Sequence, residues 1–163
     1  MTGAAEIRLV DESATRDFGL RLAAHLKPGD IVLLEGDLGA GKTTLARAVI
    51  EALTGEQDAP SPTYTLVQTY ELREGGELWH ADLYRVEDEH ELEELGLEDA
   101  FDFAICLIEW PDRLGAMRPN TYLELDIRPE PGEETGARRV RLTGRGQWEG
   151  RLDDGLDDIK TRG

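Results

Sequence analysis

The stretch that decides the fold is GDLGAGKT at residues 36–43, which follows the continuous apolar run IVLL at residues 31–34. This stretch, called the glycine-rich loop below, matches the pattern G-x-x-x-x-G-K-[ST] in full. Glycines let backbone N–H groups turn inward around phosphate oxygens, and a helix that starts here directs its positive dipole end at the same anion. A continuous apolar run is typical of a strand buried on both faces of a parallel sheet. The sequence therefore predicts a strand, a phosphate-binding loop and a helix in succession.

Two side chains of the glycine-rich loop carry the chemistry that the pattern predicts. Lys42 is a compact cation suited to contact β- and γ-phosphates, and Thr43 offers a hydroxyl to Mg²⁺, which prefers hard oxygen ligands. Contacts to the nucleotide are predicted for Asp37, Leu38, Gly39, Ala40, Gly41, Lys42, Thr43 and Thr44. No Asn/Thr-Lys-x-Asp motif for reading guanine occurs in the sequence, so the expected ligand is ATP with Mg²⁺ rather than GTP.

The remaining pattern predicts one α/β domain. Helices are predicted at 13–26, 42–53 and 87–102, and strands at 5–10, 31–34, 64–72, 77–82, 104–108, 121–127 and 138–143. This order predicts a single P-loop NTPase-like domain with a mixed, mostly parallel central sheet flanked by helices and with antiparallel strands toward the C-terminus. The domain is assigned to residues 1–145, and the polar, acidic residues 146–163 are expected to form a flexible tail.

A nucleotide loop of this kind needs a carboxylate near the metal, usually at the end of a neighbouring apolar strand. Glu109 ends the run AICLI, and Asp82 ends the run ELWHA. Ligands bind outside the carboxyl ends of parallel strands, so both carboxylates can face the glycine-rich loop. Because AICLI is the more hydrophobic run, Glu109 is the preferred metal ligand. In a chain with 35 acidic residues, an exposed acid at a strand end is the alternative for each.

Three features around these strands leave alternatives open. Ser61-Pro62-Thr63 supplies hydroxyls where nucleotide-responsive switch loops lie in P-loop proteins, but a plain turn fits the local sequence equally. His80 shares a strand face with Asp82 and is interpreted as structural. Trp110 follows Glu109 and either shields the site from water or fills the core.

Composition and charge limit the class of partner. The net charge is −17, with 18 Lys and Arg against 35 Asp and Glu. A nucleic-acid binder needs a basic face, so we expect no DNA binding and no RNA binding by the chain alone. No apolar run is long enough to span a bilayer, and the N-terminus lacks the pattern of a signal peptide. We expect a cytoplasmic protein without membrane association. Its acidity fits either a solvated surface or a face that docks onto a basic partner.

Four blocks of sequence together resemble the TsaE family, also called YjeE. They are GDLGAGKTT (36–44), SPTYTLV (61–67), HADLYR (80–85) and ICLIEWPDRL (105–114), and the similarity extends over about residues 6–142. Members of that family are bacterial ATPases in the biosynthesis of threonylcarbamoyladenosine in tRNA. They act with TsaB and TsaD, which transfer a threonylcarbamoyl group to an adenosine beside the anticodon. The resemblance implies an Mg²⁺-dependent ATPase with TsaB–TsaD-like partners, which contacts tRNA only through them.

The resemblance also implies roles for single residues. The implied catalytic residues are Lys42, Thr63, Asp82 and Glu109. The implied metal ligands are Thr43 and Glu109, and Trp110 is the family's tryptophan. The family also places nucleotide contacts around Asp11 and Glu12. It has a basic residue near the last strands, for which Arg138 and Arg139 are the candidates.

Two other functions are compatible with the glycine-rich loop. A small-molecule kinase has such a loop too, but it usually closes a basic lid over the phosphates, and residues 85–102 are strongly acidic. A non-catalytic switch would bind ATP without hydrolysing it, and the acids Asp82 and Glu109 argue against that reading. Neither Arg85 nor Arg113 is clearly spaced as an arginine finger, so slow hydrolysis by the isolated protein and acceleration by partners are expected.

Overall fold

The fold is seen in a computed structural model, and the structure describes residues 3–37, 41–57, 66–130 and 136–154. The strands are β1 (Gly3–Leu9), β2 (Ile31–Glu35), β3 (Val67–Glu71), β4 (Glu77–Asp82), β5 (Ile105–Glu109), β6 (Tyr122–Pro129) and β7 (Arg138–Arg145). The helices are α1 (Glu12–Ala23), α2 (Lys42–Thr54), α3 (Glu89–Leu95), α4 (Leu97–Ala100) and α5 (Trp148–Asp154), with a 3₁₀ helix at Pro111–Met117. None of these helices is long and apolar enough to cross a membrane.

The seven strands form one mixed sheet in the order β1-β7-β6-β2-β5-β4-β3. Strands β6, β2, β5 and β4 are mutually parallel, whereas β3 is antiparallel to β4, and β7 is antiparallel to both β6 and β1. The predicted mixed α/β sheet, parallel in its centre and antiparallel toward the C-terminus, is therefore confirmed. Because the central strands run parallel, their carboxyl ends meet at one edge, where the glycine-rich loop begins.

Each face of the sheet carries its own hydrophobic core. The first face packs against α1, α2 and α5, and the second against α3, α4 and the 3₁₀ helix. Helices α1 and α2 approach closely at Gly19, where an added Cβ would lie 2.8 Å from the Cβ of Ala48 and 3.0 Å from the carbonyl oxygen of Leu45. A side chain at this position would push α1 away from α2, whose first residue is Lys42. The close packing of α1 thus fixes the helix that follows the glycine-rich loop.

The acidic segment predicted as one helix at 87–102 forms two short helices. Gly96 has a φ of 78° and ends α3, and α4 begins at the next residue. Leu92 and Leu97 are fully buried in the second core, and Leu95 is partly buried against it. The prediction of a single helix is wrong because Gly96 adopts the left-handed conformation that terminates helices.

The predicted flexible tail is wrong for residues 148–154, which form α5. Trp148 and Leu152 are fully buried in the first core, and α5 packs on β1 and β7. Arg151 stacks on the Trp148 ring, with its guanidinium carbon 3.7 Å from the ring centroid. Its Nη1 and Nη2 donate to the two carboxylate oxygens of Asp30 at 2.7 and 3.1 Å. The burial of an indole and a leucine on one helix face outweighs the acidic composition that suggested a tail.

Candidate functional site

Buried charge gathers at the carboxyl edge of the parallel strands. In the described part of the chain, the buried polar and charged side chains are Thr15, Asp30, Lys42, His80, Asp82 and Glu109. The last four lie at this edge and are called the buried cluster below. Asp82 and Glu109 are direct neighbours, since they end β4 and β5 at paired positions. Burying four polar groups in one place is costly, which marks this edge as a candidate site.

Lys42 lies at the centre of the buried cluster. Only 4% of it is exposed, and its Nζ donates a 2.6 Å hydrogen bond to the carbonyl oxygen of Gly36. The same Nζ lies 3.8 Å from the centroid of the Trp110 ring. Burial lowers the pKa of Lys42, and the nearby carboxylates of Glu109 and Asp82 act against that shift. The cation is therefore held largely out of water and close to negative charge.

Trp110 covers Lys42 in an unusual backbone conformation. Its φ of 60° and ψ of 53° fall in the left-handed region, which a bulky residue rarely adopts. The indole also packs on Tyr84, with ring centroids 4.8 Å apart. Trp110 is half-buried against the second core as well. The two readings of this residue are thus compatible, since one ring both packs on the core and covers the lysine.

The two strand-end acids are both buried, and each is held by a hydrogen bond. Asp82 is 8% exposed and Glu109 is 3% exposed, so the alternative of exposed surface acids does not hold. Oδ1 of Asp82 accepts from the backbone N–H of Tyr84 at 3.0 Å. Oε2 of Glu109 lies 2.7 Å from Nε2 of His80. Sequence reasoning placed His80 on the correct strand face but missed this contact.

Arg138 reaches the glycine-rich loop from the start of β7. Gly41 has a φ of 108°, and a Cβ added there would lie 3.5 Å from Nε of Arg138. Arg139 points to the opposite side, where it pairs with Glu6 at 2.6 Å and with Glu130 at 2.9 Å. Of the two candidate basic residues, the structure therefore brings only Arg138 to the loop.

A groove between α1 and α2 opens beside the first turn of α2. It has a volume of about 270 Å³ and is lined by Glu12, Arg16, Thr44, Arg47, Ala48 and Glu51. Two residues predicted to contact the nucleotide, Glu12 and Thr44, therefore line one groove. A third, Asp37, is exposed to solvent in the glycine-rich loop. The predicted site residues Leu38, Gly39, Ala40 and Thr63 lie outside the described residues.

Glu35 is an acid at the same sheet edge that sequence reasoning missed. It ends β2 directly before Gly36, and burial raises its pKa, with further upward contributions from the charges of Glu124 and Asp112. Arg118 acts in the opposite direction. The sequence did contain a signal for this residue, because Glu35 lies between the apolar run at 31–34 and the glycine-rich loop.

The residues at this edge fit a bound magnesium ion. The described ranges contain no group of three or more His, Cys, Asp and Glu residues arranged to hold a metal by themselves. Mg²⁺ typically takes only one or two protein oxygens and completes its shell with water and substrate phosphates. Thr43, which follows Lys42 in the first turn of α2, and the buried carboxylate of Glu109 supply oxygens of that kind.

Comparison with known proteins gives a consistent result. Residues 9–140 match the family model described as "Threonylcarbamoyl adenosine biosynthesis protein TsaE". The tRNA threonylcarbamoyladenosine biosynthesis protein TsaE of Rickettsia bellii is 40% identical over 121 residues, which cover 74% of this chain and 83% of the relative. Its counterpart in Bacillus subtilis is 38% identical over 129 residues, covering 78% and 79%. The crystal structure of YdiB from Bacillus subtilis superposes with a TM-score of 0.78 at 30% identity, covering 97% of both chains.

Proposed function

Because the chain belongs to the TsaE family of tRNA threonylcarbamoyladenosine biosynthesis proteins, we propose that it is an Mg²⁺-dependent ATPase that acts with a TsaB–TsaD-like complex in the cytoplasm. The observation that carries the proposal is the buried cluster at the sheet edge. It combines a desolvated cation at the start of a helix with two buried carboxylates. A phosphate chain brings oxygens that can pair directly with Lys42, and a metal ion brings further positive charge to a cluster in which two carboxylates face one lysine.

Lys42 and the start of α2 bind the phosphates in this proposal. The cation is buried, so its attraction to phosphate is weakened less by water than that of an exposed lysine. On binding, Nζ exchanges the carbonyl oxygen of Gly36 for phosphate oxygens. The free N–H groups of the first turn of α2 point at the same anion, and Arg138 adds a second cation beside Gly41.

Thr43 and Glu109 hold the metal ion in this proposal. When bound, Mg²⁺ neutralises charge on the phosphates and fixes their orientation. Asp82 lies next to Glu109, and its Oδ1 is held by the N–H of Tyr84. We assign to Asp82 the task of orienting the attacking water. Trp110 and Tyr84 limit the access of bulk water to the reacting phosphate.

The partner complex completes the site in this proposal. Arg85 and Arg113, which follow the two strand ends, are both exposed, so neither is fixed in the buried cluster as an arginine finger. Nearby, residues 87–102 contain no lysine or arginine and nine acids, which are Glu87, Asp88, Glu89, Glu91, Glu93, Glu94, Glu98, Asp99 and Asp102. Such a surface fits a basic groove on a partner protein, and RNA contact is left to the partners.

Phosphate release by the full-length protein, with and without purified TsaB and TsaD, tests the proposal at low and moderate salt. We expect slow release alone and acceleration by the partners that fades as salt increases. The variant Glu93→Lys/Glu94→Lys should lose much of the acceleration while its rate alone is unchanged. The matched control, Glu71→Lys/Glu74→Lys at the end of β3 and in the turn to β4, should keep the acceleration.

The alternatives remain a small-molecule kinase and a non-catalytic ATP-binding switch. Full-speed turnover by the isolated protein, unchanged by partners, would contradict the proposal and favour the kinase. Nucleotide binding without any release of phosphate, even with both partners present, would favour the switch.

A further inference from the structure

His80 makes one hydrogen bond to a carboxylate of the candidate site. It is 1% exposed on β4, and its Nε2 lies 2.7 Å from Oε2 of Glu109 on β5. An ionised carboxylate can only accept hydrogen bonds, so we assign the proton to Nε2 as the donor. Asp82 shares the strand face of His80, which places the imidazole beneath both acids of the buried cluster.

The other ring nitrogen of His80, Nδ1, makes no comparable contact with the described residues. Within the described part of the chain, its Nδ1 is buried and has no hydrogen-bond partner. A histidine that served only to fill the core would carry the cost of burying polar atoms for nothing, since a leucine would fill similar space without that cost. The contact that offsets this cost is the one to Glu109.

We propose that His80 is a positioning residue that acts through Glu109, an inference that rests on the proposed function. The hydrogen bond holds Oε2 and restricts rotation of the carboxylate, so that Glu109 would offer a metal ion an oxygen in a fixed orientation. A partner behind a metal-binding carboxylate orients it in many sites, and removing such a partner typically lowers metal affinity or activity about 10–100-fold. We expect that range here.

A second histidine offers a matched control. His90 on α3 lies 3.6 Å from a carboxylate oxygen of Glu93, but the two side chains are 89% and 67% exposed. Water competes for both side chains there, so this contact does not hold the Glu93 carboxylate in one orientation. Both pairs join an imidazole to a carboxylate, but they differ in the ring nitrogen involved, in the separation of the two atoms and in burial.

The test compares His80→Gln with His80→Asn. The glutamine amide can place its N–H near the position of Nε2 and keep the bond to Glu109, whereas the shorter asparagine amide cannot reach it. Readouts are thermal unfolding, kcat and KM for ATP, and the affinity for Mn²⁺ measured by electron paramagnetic resonance with a non-hydrolysable ATP analogue. We expect His80→Asn to lower kcat and Mn²⁺ affinity about 10–100-fold with a smaller change in KM. His80→Gln should restore most of both, and His90→Gln should match the wild type.

The outcomes separate the two proposals. An active wild type together with folded Asn and Gln variants that both keep wild-type kcat and Mn²⁺ affinity would overturn the role of His80 alone. Equal losses in folded Asn and Gln variants would also overturn it, because the bond would then not be the cause. A wild type that neither hydrolyses ATP nor binds Mn²⁺ would overturn the proposed function and this inference with it. Should His80→Asn fail to fold, His80→Leu takes its place in the same comparison.

Discussion

Two regions of the molecule bury charge, and they do so in opposite ways. At the α1–β2 turn, Asp30 has both carboxylate oxygens paired. Oδ1 accepts from Arg151, and Oδ2 accepts from Arg151 and from the backbone N–H of Lys27 at 2.9 Å. The Arg151 guanidinium is further stacked on Trp148. This pair, called the Asp30–Arg151 clamp, is electrostatically complete and joins the C-terminal helix to the sheet.

The buried cluster differs in the contacts that Lys42 and Glu109 make with the described residues. Lys42 donates to a backbone carbonyl and lies on an aromatic ring, while the carboxylate of Glu109 contacts a histidine. Unmatched buried charge lowers stability unless a ligand completes it. The comparison teaches that burial of charge alone does not identify a site, because a buried carboxylate paired with an arginine, as in the clamp, needs no ligand. Stability should depend on the clamp, and activity on the cluster.

The largest effect is expected from Lys42→Ala. The variant should lose ATP hydrolysis and bind ATP more weakly, because the described part of the loop offers no other cation. Its thermal unfolding temperature should not fall, since the change removes a buried charge whose pKa burial already lowers. Phosphate release and calorimetric unfolding measure the two effects. The control is Lys27→Ala, which changes an exposed lysine. Wild-type hydrolysis by Lys42→Ala would contradict the assignment of the buried cluster as the catalytic site.

A smaller loss is expected from Glu109→Ala and from Asp82→Ala. Each should fold and lose turnover by a factor of roughly 10² or more, because each removes a group that organises metal or water. Steady-state kinetics over a range of Mg²⁺ concentrations measures the loss. Glu77→Ala, at the exposed start of β4, is the control. If both variants stay active, the assignment of the acids is wrong.

The clamp should respond to substitution in the opposite way. Arg151→Ala should lower the free energy of unfolding by about 2–3 kcal/mol, between the values typical of exposed and of buried ion pairs, because Arg151 is partly exposed. Turnover at 25 °C should stay at the wild-type level. Urea unfolding of the variant and of the control Arg145→Ala, an exposed arginine, measures the difference. A loss of turnover without a loss of stability would contradict the division between the two regions.

The smallest effect concerns Cys106 in the second core. Burial raises the pKa of its thiol to about 12, so at pH 8 the thiol stays protonated, whereas in the unfolded chain a fraction is thiolate. Iodoacetamide should therefore react slowly with the native protein and readily in urea. Mass spectrometry of the labelled protein checks this. Native labelling as fast as that of a free cysteine would show that the second core opens.

Local sequence patterns were enough to predict the centre of the fold and much of the candidate site. The apolar runs that became β2 and β5 are readable as buried strands, and acids at strand ends in an α/β chain converge by topology. The residue types and spacing of the glycine-rich loop are enough to predict a phosphate-binding site.

What the sequence did not reveal depends on contacts between distant segments. His80 and Glu109 are 29 residues apart and meet only through the register of β4 with β5. Helix α5 had a signal in Trp148 and Leu152, four residues apart, but its stability comes from the surface of β1 and β7 on which it packs. The break between α3 and α4 depends on the conformation of one glycine.

The most direct test of the central claim is the fate of the terminal phosphate of ATP in a single turnover by the wild-type protein. We predict equal amounts of ADP and free phosphate, both abolished when Mg²⁺ is chelated. ADP without free phosphate would show transfer to another acceptor and support a kinase. Bound ATP that yields neither product, with partners present, would show that the buried cluster binds the nucleotide without catalysing its hydrolysis.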